Sequence, residues 1–396
     1  MLFDNRDRGN ELRKNALTRD HNILPYSFLD LGTPLDYSPS LWLDNSDPNA
    51  LILNDNKVVS YLDKSEALAE TNPQTYTVLN NVNCASLTDN GGGSYSVVTG
   101  GTFGVNDPRS LNILGVVYAV KFTISNLVGS GDISVSFARN NTTYDVSRTS
   151  IATIPLSNGS HTVYVVVTTQ DDSQYVKFQD LTGLDFDISN VITSEIQGSH
   201  FTQVTPANRP VVDSATVPSQ IDFTAANSEY LENTLDVSTF AAMSQGSVVW
   251  IQGTLGITNE CFTFQDNSVN ANYFRVGVIS SNFVRVTLSK SGGVVNTWFS
   301  TSTVSLNDVI EVGSSGSSYF LKINGITDIV NISAGDDDGK FMNYPSTMDI
   351  MSVGSIQTAT PIYRDTTFKH LMIRSTPLSD AESLTYANYL IQRYSL

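Results

Sequence analysis

Tyr319-Phe320-Leu321-Lys322-Ile323-Asn324-Gly325-Ile326-Thr327-Asp328-Ile329-Val330 is two runs of strand-forming residues joined by Asn-Gly. Asn and Gly both accept the positive φ angles of a type I′ turn, whose twist matches the strands it joins, so this stretch predicts a tight antiparallel hairpin. The same pattern spreads outward from it. Val284, Val286 and Leu288 alternate with Arg285 and Thr287, and Ile133, Val135 and Phe137 alternate with small polar residues. A period of two marks strands with one wet face. Residues 163–167 and 248–251 are apolar on both faces, and the first of these runs predicts a centrally placed strand. Gly91-Gly92-Gly93, Gly129-Ser130-Gly131 and Asn158-Gly159 punctuate the runs as turns. One helix is predicted, at the C-terminal end. Ser379 and Glu382 form a capping box, and Leu384, Ala387, Leu390, Ile391 and Tyr394 recur on one face at helical spacing. The fold class is therefore all-β with a short C-terminal helix.

A chain of 396 residues predicts two or three domains. Apolar residues make up 40% and charged residues only 15%, the composition of strands and turns under an uncharged polar surface. The formal charge of -17 excludes general nucleic-acid binding, because nothing would neutralise phosphates, and it disfavours anionic membranes. Cys84 and Cys261 are the only cysteines and lie far apart, which argues against a disulfide framework. The opening MLFDNRDRGNELRK lacks the apolar core of a secretory signal. No apolar run reaches the roughly 18 residues that a membrane-spanning helix needs.

Residues 1–38 show no strand periodicity and read as an extended arm. Arg6, Arg8, Arg13, Lys14 and Arg19 lie there, nearly balanced by Asp4, Asp7, Glu11 and Asp20. Two readings stand side by side: a solvated terminus, or a docking arm that orders on a partner protein.

Three separated stretches resemble the concanavalin A-like, laminin-G-type lectin/glucanase family as it occurs in phage and bacterial surface proteins. The first is Ser40-Leu41-Trp42-Leu43-Asp44-Asn45-Ser46-Asp47 with Asn56-Lys57-Val58-Val59-Ser60-Tyr61-Leu62-Asp63-Lys64-Ser65, where Tyr61 stands in place of the usual tryptophan. The second is Thr202-Gln203-Val204-Thr205-Pro206-Ala207-Asn208-Arg209-Pro210, then Ile221-Asp222-Phe223 and Glu229-Tyr230-Leu231. The third is the helical stretch 378–394. The first two are usually a few residues apart; here roughly 130 intervene, as for a domain inserted into a loop. The intervening residues are similar to a family 4/9-type carbohydrate-binding module, through Tyr-Ala-Val-Lys-Phe-Thr-Ile-Ser at 118–125 and Leu-Asp-Phe-Asp-Ile-Ser-Asn-Val at 184–191. The resemblance implies two jelly-roll β-sandwiches, one inserted in the other. Residues 1–38 are the arm, 39–70 with 197–396 the outer sandwich, and 71–196 the insert.

Glucanases on such a fold carry paired carboxylates on one strand. No such run occurs here, and the three-residue spacing of Glu229 and Glu232 puts them on opposite faces of a strand. The four histidines have no nucleophile elbow beside them, so no enzyme is expected. Calcium is the cofactor to expect, if any, because acidic loops offer it oxygen ligands. Asp336 and Asp338 lie in the densest carboxylate cluster. Asp185 and Asp187 are carried over from the resemblance, since related modules hold calcium near the final strand; solvated acidic turns are the plainer reading of each. For stacking on sugar rings the candidates are Tyr95, Tyr144 and Trp298, with a rim or core role as the alternative. Trp42 and Trp250 lie in apolar strands and read as core.

The expected role is a virion structural protein, a capsid decoration or a head or tail fibre. It would dock on other virion proteins through the arm and display lectin-like sandwiches to host-surface polysaccharide. A homo-oligomer is expected of such an appendage, although no coiled-coil heptads prescribe one. A soluble or cell-surface lectin outside any virion is the competing reading.

Overall fold

The computed structural model describes residues 37–396, apart from 48–49, 55, 66–69, 99–100, 107–113, 139–151, 169–174, 181–182, 214–219, 235–236, 269–271, 292–294, 346 and 357–360. The fold is all-β, with antiparallel pairing throughout the described ladders, and the apolar side chains gather in two main cores.

The larger core lies between two sheets. One has six strands in the order Leu41–Asp44, His370–Arg374, Gly246–Ile251, Val309–Ser314, Tyr319–Ile323, Ile326–Asp328. The other, of 13 strands, runs from Val330–Ala334 through Asn296–Thr303, Phe283–Ser289, Tyr273–Val278, Asn259–Gln265, Ile350–Val353, Leu231–Asn233 and Phe201–Thr202 to Lys57–Tyr61 and beyond. Leu41, Leu43, Val248, Trp250, Val312 and Ile373 pack from the first against Phe262, Phe264, Phe274, Val286, Leu288 and Met351 from the second. Every buried member of this core comes from residues 41–61 or 201–373. The second core draws only on residues 76–191, with Phe103, Tyr118, Phe122, Phe137 and Phe178 at its centre. It too lies between two sheets, one built on the long strands Val117–Val128 and Asp185–Ile196, the other on Asp132–Ala138 and Tyr175–Asp180. Cys84 and Cys261 are both buried, one in each core, and form no disulfide with each other.

The hairpin forms as its sequence dictates. Ile323 pairs with Ile326, and Asn324 and Gly325 take φ of 54° and 78°, the two positive angles of a type I′ turn. Val248 and Trp250 face the large core, while Val249 and Ile251 face the helix Asp380–Arg393, which accounts for a strand apolar on both sides. The capping box is present: Glu382 donates its amide to Ser379 Oγ, and its carboxylate accepts from the Ser379 amide at 2.8 Å. Of the expected helix face, Ala387, Leu390 and Tyr394 are buried and Ile391 packs against them; Leu384 is the exception. Tyr386, Ala387, Tyr389 and Leu390 pack on the sheet, whereas Leu384 is 46% exposed. The stripe is centred on the tyrosines because their large rings reach the sheet over Tyr37 and His370.

Residues 163–167 also differ from expectation. Strand Gly159–Val166 lies at the end of its sheet, not in the middle. Its second apolar face is buried for another reason. Val166, with Val117 and Ala119, packs against Ile52, Val59 and Leu62 of the larger sandwich, with Ile196 beside them. An apolar joint thus connects the two bodies. At the crossing, Asp63 accepts backbone amides from Trp42 at 3.0 Å, Ser65 at 2.9 Å and Ser199 at 2.9 Å, and its own amide donates to His200 Nδ1 at 2.9 Å. One buried carboxylate therefore clamps the strands that lead into and out of the second sandwich.

Candidate functional site

The sheet face turned away from the larger core carries a continuous polar row. Register places Thr297, Thr287, Arg275, Thr263, Ser352, Glu232, Thr202 and Ser60 directly opposite one another across eight strands. A second row beside it reads Asn331, Phe299, Arg285, Gly277, Glu260.

Glu260 reaches this face through a bulge. Phe262 and Phe264 point into the core, and strict alternation would send Glu260 there too. The register shifts between Glu260 and Phe262, so Cys261 joins the core and Glu260 turns outward opposite Gly277. Its oxygens are then divided between two guanidinium groups: Oε1 takes Arg285 Nη2 and Oε2 takes Arg364 Nε, each at 2.6 Å. Gly277, between Glu260 and Arg285 in register, contributes no side chain to block the pair. Arg364 is delivered from outside the sheet. The chain leaves strand Ile350–Val353 through Gly354 at φ 81°, then folds back as the short ladder of Ser355–Ile356 with Ile362–Tyr363. Ser355 O accepts the Ser352 and Thr263 hydroxyls, which pins this flap over the row.

Arg275 completes the cluster. Its guanidinium carbon lies 3.8 Å from the centroid of the Tyr273 ring, a cation–π contact, and its buried Nε has no hydrogen-bond partner among the described residues. Burial, with Arg285 and Arg364 nearby, lowers its pKa, while the Tyr273 and Glu260 charges pull the other way. Three arginines thus converge on one glutamate in a chain whose overall charge is -17.

Next to Arg285 the face is apolar. Ile279, Phe283, Phe299, Ser300, Thr301 and Asn331 line an open groove of about 430 Å³. A second irregularity makes it: Phe283 pairs with Thr303 but Arg285 with Phe299, so residues 300–302 bow away from the neighbouring strand. Asp328 holds the bow, accepting the amides and hydroxyls of both Thr301 and Ser302 at 2.9 Å. Two half-buried phenyl rings therefore sit beside a cationic cluster.

Farther along the first row stands Glu232, two strands from Thr263. Burial alone raises its pKa from 4.5 to about 7. Glu229 takes no part on this face; it is buried and accepts from the Thr224 amide and the Asn227 side chain. A smaller, polar pocket of about 210 Å³ borders Asp63, Ser199 and Phe240, but the carboxylate in it is engaged by the backbone amides described above.

The residues singled out from sequence lie elsewhere. Tyr95 is a core residue, its ring buried in the second sandwich and its hydroxyl donated to Thr77 O at 3.1 Å, so it presents no face to a sugar. Trp298 is fully buried and stacks on Tyr319 at 3.9 Å between centroids. Its neighbour Phe299 is the ring on the outer face, one residue away and of opposite parity. Trp250 is core as expected, and Trp42 is buried with Lys64 over its ring. Asp338 does not fit a calcium site: it accepts from Tyr319 Oη at 2.7 Å and Asn296 Nδ2 at 3.0 Å and pairs with Lys340. Asp336 is exposed. Asp187 accepts from Ser96 Oγ and Asn126 Nδ2, and Asp185 begins the same strand. Among the described residues no three His, Cys, Asp or Glu side chains gather as a metal site. Tyr144, Arg6, Arg8, Arg13, Lys14 and Arg19 lie outside the described residues.

An all-β protein with two sandwiches and a groove-bearing outer sheet face is what fold and site define. No protein-family model matches the sequence, and no curated protein matches it. Among solved structures, the CBM40 module of a Ruminococcus gnavus IT-sialidase is 15% identical with a TM-score of 0.34, covering 38% of this chain and 86% of that one. The leech intramolecular trans-sialidase is 17% identical with a TM-score of 0.35, covering 42% of this chain and 26% of that one. NanB sialidase from Streptococcus pneumoniae is 16% identical with a TM-score of 0.33, covering 38% and 26%. Similarity this low leaves the functional reading to the site itself.

Proposed function

We propose that this chain is a non-enzymatic glycan-binding protein of a virus particle, with the outer face of the large sheet as its binding surface. The observation that carries the reading is the groove in which Phe283 and Phe299 stand next to Arg285, Asn331 and Thr301. Sugar rings present apolar C–H faces that pack on aromatic rings, and their hydroxyls need fixed polar partners at the edge. An acid–base role is disfavoured because both oxygens of Glu260 are held by arginines. That leaves Glu232 without the second carboxylate that glycoside hydrolysis requires. Calcium has no part in this reading.

The virion assignment rests on the sequence: the basic-acidic arm 1–38 and the resemblance to phage surface modules. In this reading residues 71–196 form an inserted module held at a set angle by the apolar joint, and the protein assembles with other virion proteins as a homo-oligomer. A glycan array probed with the whole chain and with Phe283→Ala/Phe299→Ala tests the binding surface. Saccharide binding that the double variant loses is the expected result; undiminished binding contradicts the surface chosen. Deleting residues 1–38 tests the particle assignment. Continued incorporation of the truncated chain would favour a free lectin over a docked one.

A further inference from the structure

We infer that the guanidinium groups of Arg275, Arg285 and Arg364 hold an anionic substituent, a carboxylate or sulfate, of the saccharide bound in the neighbouring groove. The inference rests on the glycan-binding reading and adds to it the chemical class of the ligand.

Three arginines are gathered around a single carboxylate, so two positive charges are left uncompensated within the cluster. Like charges held together at a half-buried site repel one another, and a bound anion relieves that cost. The donors are also prearranged. Glu260 engages one nitrogen of Arg285 and one of Arg364, fixing both side chains. Arg275 sits over the Tyr273 ring, its guanidinium carbon 3.8 Å from the centroid, which holds a third cation beside the pair. Planar guanidinium groups fixed in this way suit the paired oxygens of a carboxylate or sulfate. Distance along the sheet also fits. Phe299 is the direct cross-strand neighbour of Arg285, so their Cα atoms lie roughly 5 Å apart. A ring on Phe299 thus puts an acidic group attached to it within reach of the cluster.

The test compares binding of the full chain to paired probes on one array: polygalacturonate and its carboxyl-reduced form, heparin and desulfated heparin, sialyllactose and lactose. Arg275→Met and Arg275→Lys are measured alongside, each with its melting temperature. At least one acidic probe is expected to bind about tenfold or more tightly than its neutral partner, the loss anticipated for charge-assisted hydrogen bonds. Arg275→Met should erase that difference and Arg275→Lys restore part of it. The carboxylate and sulfate pairs tell the two anions apart. Equal binding of acidic and neutral partners, or an Arg275→Met variant that folds and still discriminates, overturns the inference while the glycan-binding reading stands. Binding of no saccharide on the array overturns both.

Discussion

Glu232 and Arg275 share one cross-strand row three strands apart, roughly 14 Å, and burial shifts both. For Glu232 the shift has a thermodynamic consequence. The unfolded chain releases this proton near pH 4.5, the folded one near pH 7. The native state therefore holds the proton more tightly, and the stability this group contributes is complete below pH 4.5 and lost as pH rises through 7. Glu232→Gln should match the parent's unfolding free energy at pH 4 and exceed it at pH 8 by about 2 kcal/mol after allowance for residual solvent, read as a higher melting temperature at pH 8 alone. Equal melting at both pH values would show that Glu232 is better solvated than its place in the row implies. At this scale sequence was a poor guide, for a definite reason. Which face a side chain takes depends on parity, and the irregularities at Cys261 and at residues 300–302 reset parity without a local signal. Trp298, a candidate with a core role as its alternative, lies in the core, and Phe299, of opposite parity, lines the groove. The Tyr95 reading failed because flanking Gly and Ser describe the turns and not the strand's inner face.

Among the elements, the hairpin at Asn324-Gly325 and the C-terminal helix support each other. A Cβ at Gly325 would lie 2.5 Å from the Leu384 Cα, besides being forced to a φ of 78°. Gly325→Ala should cost at least about 2 kcal/mol, since left-handed strain adds to the clash, and should loosen the helix. Denaturant unfolding measures the first and helix amide exchange the second. The helix is also tied at its far end. Arg393 Nη2 and Tyr394 Oη donate to the buried Asp44 at 2.9 Å and 2.6 Å. Burial by itself would raise the Asp44 carboxyl, but Arg393, His370 and the Ser46 and Tyr394 hydroxyls outweigh it and hold the pKa below 3.8. That contribution is present above pH 3.8 and lost as pH falls through the folded value. Asp44→Asn should therefore cost roughly 2–3 kcal/mol at pH 7, because a part-buried Arg393 loses its counter-charge, and clearly less at pH 3. Elements like these were legible because their signals are local: a capping box, an Asn-Gly pair, alternation over five residues. The sheet order was not, since partners such as Leu41–Asp44 and His370–Arg374 lie more than 300 residues apart.

Over the whole molecule the two sandwiches meet through the joint of Ile52, Val59 and Leu62 with Val117, Ala119 and Val166. Burying a few aliphatic side chains contributes several kcal/mol, at about 25 cal/mol per Å² of apolar surface. The bodies should therefore unfold together in calorimetry. Ala119→Arg, which forces a charge into the joint while sparing the second core, should split the transition in two. A single unchanged transition would mean that the Asp63 clamp alone couples them. The joint also explains why residues 163–167 read as central: burial between bodies imitates burial within one. The most direct measurement is a crystal structure of the full chain with the saccharide it binds most tightly. A sugar ring is expected against Phe299, with an acidic group toward Arg275 and Arg364. A saccharide seated on the second sandwich, with the outer sheet face bare, would contradict the assignment.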